Sequence, residues 1–572
     1  MLSGPAPVRQ TKIVATIGPA SEEKAPLEAC VAAGMNIMRV NFSHATVEEF
    51  HLRRNNLRNN PAGENVAVML DTKGPEIRMG GLKVCKESGD RKAKISLVAG
   101  ETLTLTTDPA YNGASDDKTL YIDYARIGEV VSKGDNVLLD DGLVSLKVVE
   151  VVSSGTDGGT ALITTEIVNS SEIGERKGVN LPGVKTGLPA MSEKDKTDIK
   201  FGVQVKPKQA ASSSSSSTAV APLPPPSLTH ALPFPPLFAA QHDIDMVAAS
   251  FVRSAEGVHE IRDYLRVCLE EAAQSDPTRA DEPLPLIISK IESTEALEEL
   301  SEIIAASDGI MVARGDLGVE VPIEHIATYQ KDIVEMCVAA GKPVVVATQM
   351  LESMQKNPRP TRAEVADVTN AVLDGADAVM LSGESANGKY PSESISMQAS
   401  ICKHAENWSA MRGLKPWYGD ADALSHLVDD GMEDGMGGLD YDFDHADGLG
   451  SAAVVLAKKV NASAILVFDH IDTARLARAV CKHRPPMPIA AISDSIKMCR
   501  QLNLSKGIEP LLIDSAMLDD FEEDIALSYE LTSAVMERTE LLGPDDTAVC
   551  VFGNQISVET MGDHFFSEEE EE

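Results

Sequence analysis

The stretch Pro285–Ser293, PLIISKIES, begins as an apolar run and then sets Lys290 and Glu292 two places apart. On a strand, side chains alternate between faces, so this ammonium and carboxylate project together from the end of a hydrophobic wall. Such a pair is costly in a core unless something completes its charges. Working outward, seven further runs rich in Val, Ile, Met and Ala follow the same plan. Each finishes in polar or glycine-containing residues and leads into a helix-length segment. Toward the N-terminus they are KIVATIGP from Lys12, NIMRVNFSH from Asn36, VAVMLDTKGP from Val66 and MVAASFVRS from Met246. Toward the C-terminus follow GIMVARGD from Gly309, PVVVATQM from Pro343 and AVMLSGES from Ala378. Continuous apolar strands alternating with helices require a parallel sheet covered on both faces, and eight such units close into a (β/α)8 TIM barrel.

The barrel pattern is interrupted. Between about Pro75 and Asn180, KISLVAGETLTLTTD, NVLLDDGLVSLKVVEVV and TALITTEIV alternate apolar and polar residues between Gly and Asp turns. They predict a small all-β domain inserted into the barrel. After Pro391, AAVVLAKKVNASAILVF, PIAAISD and TAVCVFG predict a separate C-terminal α/β domain. The expected division is residues 1–74 and 181–393 for the barrel, 75–180 for the insert and 394–572 for the terminal domain. Three or four units are what ordinary domain sizes predict for a chain of 572 residues.

Some segments fit none of these units. The tract Val205–Gln241, VKPKQAASSSSSSTAVAPLPPPSLTHALPFPPLFAAQ, cannot bury enough surface to offset its ordering entropy and is expected to be a disordered loop. The acidic segment from Gly419 to Gly448 reads as a solvated loop. Its Asp440, Asp442 and Asp444 imitate the opening of a calcium loop, but His445 replaces the turn glycine and Ser451 the closing glutamate. Glu568–Glu572 reads as an acidic tail.

The chain carries 51 basic and 88 acidic residues, a net charge of −37, which argues against nucleic acid or an anionic membrane as a broad partner. Any anionic substrate has to be met locally, by a few placed cations or metal ions. The eight cysteines lack CxxC spacing and read as reduced packing residues. The start, MLSGPAPVRQTK, shows no secretory or transit pattern, so a cytoplasmic location is expected.

Chemistry concentrates at the strand ends. Glu292 ends one strand and Asp316, in ARGDLGVE, follows the next, so two carboxylates meet at the barrel mouth. They suit Mg²⁺ or Mn²⁺, which take a few carboxylates plus substrate oxygens. The bland alternative pairs Lys290 with Glu292 and makes Asp316 a helix cap. Other strands finish in the same way, with Thr348, Ser382, Arg39, Asn41, Ser43, His44, Asp71, Thr72 and Lys73. Individually these could be hydroxyl caps, a surface pair or an exposed loop residue. Together they describe a pocket of metal ligands, cations and hydroxyls suited to phosphoryl transfer or enolate chemistry.

At these residues the sequence resembles the pyruvate kinase family. TKIVATIGPAS, MNIMRVNFSH, LDTKGPEIR, LPAMSEKDKTDI, DMVAASFVR, ISKIES, DGIMVARGDLGVE, ATQMLESM and PTRAEVADVTNAVLDGADAVMLSGESA occur in the family's order. The resemblance implies transfer of the phosphoryl group of phosphoenolpyruvate to ADP, giving pyruvate and ATP. It implies that Lys290 and Arg39 contact the phosphoryl group, that Glu292 and Asp316 hold Mg²⁺ or Mn²⁺, and that Gly315 and Thr348 hold the substrate. The enolate would be protonated on the Thr348 side, through water, with Ser382 nearby. Asn41, Ser43, Asp71 and Thr72 match the family's K⁺ ligands, and Glu76 accords with K⁺ dependence. Asn41, Ser43, His44, Arg78 and Lys194 would face the nucleotide, with the insert closing as a lid through Asp141. A homotetramer is implied in the same way.

Two departures from the family stand out. After AILVF the chain reads DHIDTARLARA, where sugar-bisphosphate-activated relatives carry a Ser/Thr/Gly-rich cradle, and Asp469 and Asp472 would repel a phosphate there. The final loop, FGNQISVETMGDHFF, lacks a glycine-rich lid. No activation by fructose 1,6-bisphosphate through this pocket is expected. Joining Gln204 directly to His242 gives FGVQHDIDMV, the family's spacing. The tract between them reads either as a retained intron translated in frame or as a true surface insertion.

Overall fold

The computed structural model describes residues 8–90, 92–153, 160–204, 244–280, 282–414, 445–468, 473–513, 541–543 and 546–560. The Ser/Pro tract, the acidic segment up to Asp444, Asp469, Asp472 and the closing glutamates lie outside the described residues.

The eight apolar runs form a closed parallel barrel whose strands follow one another in chain order. They are β1 (Lys12–Thr16), β2 (Ile37–Asn41), β3 (Ala67–Asp71), β4 (Met246–Ala249), β5 (Leu286–Ile291), β6 (Gly309–Ala313), β7 (Val344–Ala347) and β8 (Ala378–Leu381). Burial on both faces explains why these strands are continuously apolar. Val14, Ile37, Met69, Met246, Ala248, Ile288, Met311, Val345 and Met380 fill the interior. Their alternating neighbours, among them Ile13, Met38, Val68, Val247, Ile287, Ile310 and Val379, pack outward among the helices. Those helices include Val47–Arg58, Glu193–Gln204, Ala255–Ser275, Ile326–Ala339, Arg362–Asp374 and Pro391–Arg412.

Between β3 and β4 the chain builds a seven-stranded sheet in the order 77–78, 178–180, 136–139, 144–153, 161–167, 102–106 and 119–121, with a separate two-stranded pair. Its core, including Leu103, Leu105, Leu120, Val137, Leu139, Leu146 and Ile163, is separate from that of the barrel. The insert is β-dominated, though short helices at Lys83–Ser88 and Ile127–Val130 punctuate it.

The terminal sheet has five strands in the order Ile508–Leu512, Ile489–Ser493, Ala464–Phe468, Thr547–Phe552 and Gln555–Thr560. The first four pair in parallel and the last is antiparallel. That last strand corrects the sequence reading of FGNQISVET as loop. Gly553, at φ 50°, turns the chain so that Gln555 pairs back on Phe552. The acidic segment is corrected at its end too, because His445–Gly448 open the helix His445–Val460. Asp447 is buried there, not solvated, and accepts from Lys482 Nζ at 3.0 Å and His483 Nε2 at 3.2 Å.

The terminal sheet's connections close the floor of the barrel. Leu504 joins the interior cluster beneath Met69, Met246 and Ile288. Arg484 grips Asp377 with both terminal nitrogens at 2.7 and 2.8 Å, Lys497 pairs with Glu282, and Lys12 pairs with Glu509 at 2.7 Å. All eight cysteines are buried, and none is in a disulfide.

Candidate active site

The interior layer sets the mouth by simple alternation. Residues two places beyond interior side chains point the same way, which carries Thr16, Arg39, Asp71, Ser250, Lys290 and Ser382 upward from Val14, Ile37, Met69, Ala248, Ile288 and Met380. In a barrel this end hosts the chemistry.

At its centre Lys290 Nζ lies 2.7 Å from Ser250 Oγ, 2.9 Å from Glu292 Oε1 and 3.3 Å from Asp71 Oδ1. Arg39 Nε donates to the other Asp71 oxygen at 2.6 Å, and Arg39 Nη1 donates to Thr16 Oγ1 at 2.7 Å. Arg39 is buried, so the surface-pair alternative does not hold. Burial alone would raise the Asp71 carboxyl, but Arg39 and then Lys290 outweigh it and hold it below the usual range. Lys290 is likewise held firmly protonated: burial opposes its charge, and Asp71 and Glu292 more than compensate.

Glu292 accepts from Phe251 N at 2.5 Å through Oε2, while Oε1, though buried and close to Nζ, makes no hydrogen bond. Asp316 stands beside it on the first turn of the helix Arg314–Glu320. Burial, then the Glu292 charge, push the Asp316 carboxyl up to about 7. Two crowded carboxylates, one with a buried oxygen that meets an ion pair but no hydrogen bond, form a donor set that would suit a divalent cation. The ion-pair half of the bland reading is present. The capping half is not, because no side chain caps that helix from its own N-cap, Ala313.

Thr348 departs from strand geometry. Its φ of 70° and Gln349's of 56° are left-handed, a region that β-branched residues rarely enter. The turn brings Thr348 Oγ1 to Gly315 N at 2.8 Å, joining the ends of β6 and β7. Asn41 and Asp71 are register partners across β2 and β3, and Asn41 Oδ1 accepts from Ser43 N at 2.9 Å. Thr72 Oγ1 accepts from Ser250 N at 3.1 Å. Lys194 Nζ donates to Phe42 O at 2.9 Å and pairs with Asp198. Arg78 turns to Glu76 and Arg176 O, and His44 is exposed, so neither touches the Lys290 cluster. Sequence reasoning missed Ser250, whose hydroxyl also donates to Thr72 O at 2.6 Å. It stands at a strand end like the others, in MVAASFVRS, and that position was the available signal.

A lysine between two carboxylates, an arginine, and a crowded carboxylate pair at the mouth of a (β/α)8 barrel define a phosphoryl-transfer or enolate-stabilising enzyme class. The match to known proteins narrows this. Residues 8–214 and 234–395 match the model of the pyruvate kinase barrel domain, and 447–563 that of the pyruvate kinase alpha/beta domain. A Leishmania mexicana pyruvate kinase is 38% identical over 512 residues, covering 89% of this chain and 86% of that protein. The human pyruvate kinase PKLR is 37% identical over 541 residues, covering 92% of this chain and 80% of that protein. A solved pyruvate kinase from Cryptosporidium parvum superposes with a TM-score of 0.75 at 31% identity, covering 97% of this chain and 96% of that one. The chain belongs to the pyruvate kinase family.

Proposed function

We propose that the chain carries out the family's reaction at this mouth, moving the phosphoryl group of phosphoenolpyruvate to ADP and protonating the enolate that remains. The observation that carries the reading is Lys290, a buried ammonium between Asp71 and Glu292, beside the crowded carboxylate pair of Glu292 and Asp316. Glu292 and Asp316 would hold Mg²⁺ or Mn²⁺, which when bound supplies charge neutralisation between substrate oxygens. Lys290 Nζ and the Arg39 guanidinium stabilise negative charge on the phosphoryl oxygens as the bond to the enol oxygen lengthens. Their mutual fixing through Asp71 means that little reorganisation is needed during transfer.

The Gly315 amide and Thr348 hydroxyl hold the substrate carboxylate. The enolate is then protonated at its methylene carbon on the Thr348 side, through a water, with Ser382 nearby. Asn41, Ser43, Asp71 and Thr72 offer the oxygen donors K⁺ favours, and the backbone link from Ser250 to Thr72 keeps that loop in place. Asn41, Ser43, His44, Arg78 and Lys194 face the nucleotide, and the insert, residues 75–180, closes over it through Asp141, whose φ is 54°. Arg78, in the insert, reaches the nucleotide on that closure, its guanidinium otherwise turned to Glu76 and Arg176 O. The division into residues 1–74, 75–180, 181–393 and 394–572, a homotetramer and a cytoplasmic location complete the proposal. Among the described residues no helix is long and apolar enough to cross a membrane.

The test is a coupled assay of pyruvate formation from phosphoenolpyruvate and ADP, with and without K⁺ and Mg²⁺. Full dependence on both cations is expected, and absence of turnover in complete buffer would overturn the proposal.

A further inference from the structure

Arg314, in the ARGD of β6's end, is absorbed by none of these roles, yet it is the most heavily engaged side chain near Thr348. Its Nε donates to Ala347 O at 3.1 Å and its Nη2 to Thr348 O at 2.6 Å. The same guanidinium grips Asp367, on the helix Arg362–Asp374, with two bonds of 2.7 Å, and reaches Gln330 Oε1, on Ile326–Ala339, at 3.2 Å. Gln330 in turn donates to Asp374 at 2.9 Å, so the arginine rests on a braced pair of helices.

The carbonyls it holds flank the left-handed Thr348. An extended or right-handed backbone would be the cheaper state for a β-branched residue, and would swing Thr348 O away from the guanidinium and Oγ1 away from Gly315 N. Bidentate carboxylate binding fixes the plane of a guanidinium, and a lysine ammonium cannot reproduce it. The geometry points to Arg314, anchored by Asp367, as the positioning residue that clamps the Thr348 turn and so aims its hydroxyl at the reacting centre.

The inference rests on the proposed role of Thr348, and the two are separable by experiment. Arg314→Lys, Asp367→Asn, Thr348→Val and the double variant Arg314→Lys/Thr348→Val are compared for kcat, for KM of phosphoenolpyruvate and ADP, and for thermal midpoint. Arg314→Lys is expected to lower kcat by ten- to a hundredfold with KM for ADP within threefold. Asp367→Asn, which keeps an acceptor oxygen, should lie between it and the parent. The double variant should be no slower than Thr348→Val alone, because a clamp has nothing to aim once the hydroxyl is gone. A lowered thermal midpoint with unchanged kcat in Arg314→Lys and Asp367→Asn would reduce the clamp to a structural tie and overturn the inference. Losses that multiply in the double variant would also overturn it. Full activity in Thr348→Val would instead remove the underlying role of Thr348.

Discussion

Replacing Lys290 by methionine tests the centre of the proposed site, because methionine keeps much of the volume and deletes the charge. The ammonium has three oxygen neighbours within 3.3 Å, from Ser250, Glu292 and Asp71. Asp71 retains Arg39 and Glu292 retains the Phe251 amide, but a carboxylate already crowded by Asp316 loses its nearest cation. Breaking a buried pair on one side costs about 3–5 kcal/mol unless a proton relieves it. Asp316, already pushed up to about 7, can take that proton, so the loss in stability should fall below that range.

Activity should fall much further than stability. A cation fixed against a transferring phosphoryl group contributes about 10³–10⁵ in kcat, or roughly 4–7 kcal/mol of barrier. The assay couples pyruvate formation to NADH oxidation at saturating phosphoenolpyruvate, ADP, Mg²⁺ and K⁺. Circular dichroism and Mn²⁺ binding confirm that the variant is folded and that its carboxylate pair is intact. A folded Lys290→Met protein with Mn²⁺ bound and kcat within tenfold of the parent would refute the reasoning.

Glu292→Gln and Asp316→Asn should each weaken Mn²⁺ binding by at least about tenfold, read by titration, since each removes one of two charged ligands; unchanged binding moves the metal site elsewhere. Deleting Val205–Gln241 should leave kcat within about threefold. The ends it joins already pack together, with a Cβ at Gly202 falling 2.9 Å from Ile244 Cδ1. The shorter connection should add about 2–3 kcal/mol of stability by loop-closure entropy, and loss of activity in a folded deletion protein would count against the spacing argument. Burial pushes the Cys30, Cys402, Cys481 and Cys499 thiols up to about 12 from 9, so native protein at pH 8 should alkylate there about a thousandfold more slowly than free thiol. With folded thiols raised, this contribution to stability is full below about pH 9 and is lost progressively as pH rises from there through the folded value of about 12, so alkaline unfolding should expose all of them together. Rapid labelling of the folded protein by a thiol reagent would contradict it.

The barrel was legible because its strands are buried on both faces and so carry unbroken apolar runs. The polar residues that follow them, such as Lys290 and Asp71, could be placed at one mouth by counting alternation alone. The strand Gln555–Thr560 escaped notice because, as a mostly exposed edge, it has no apolar face to give a signal. The helix at His445 was hidden by acidic residues and glycines whose reasons are tertiary. Asp447 is matched by Lys482 and His483, and a Cβ at Gly450 would lie 2.6 Å from the Ala479 carbonyl carbon. The site showed the same split. Which side chains point inward follows from local rules, but the left-handed turn at Thr348 is fixed by an arginine and an aspartate from other elements.

The seating of Leu504 among Met69, Met246 and Ile288 removes the independence that separate sheets usually enjoy. A cylinder cut away from its terminal partner would present an unstoppered lower rim to water, so the two halves should melt as one cooperative body. Any ligand that tugs on the outer sheet would, through this cork, lean on the same staves whose upper ends carry Asp71 and Lys290.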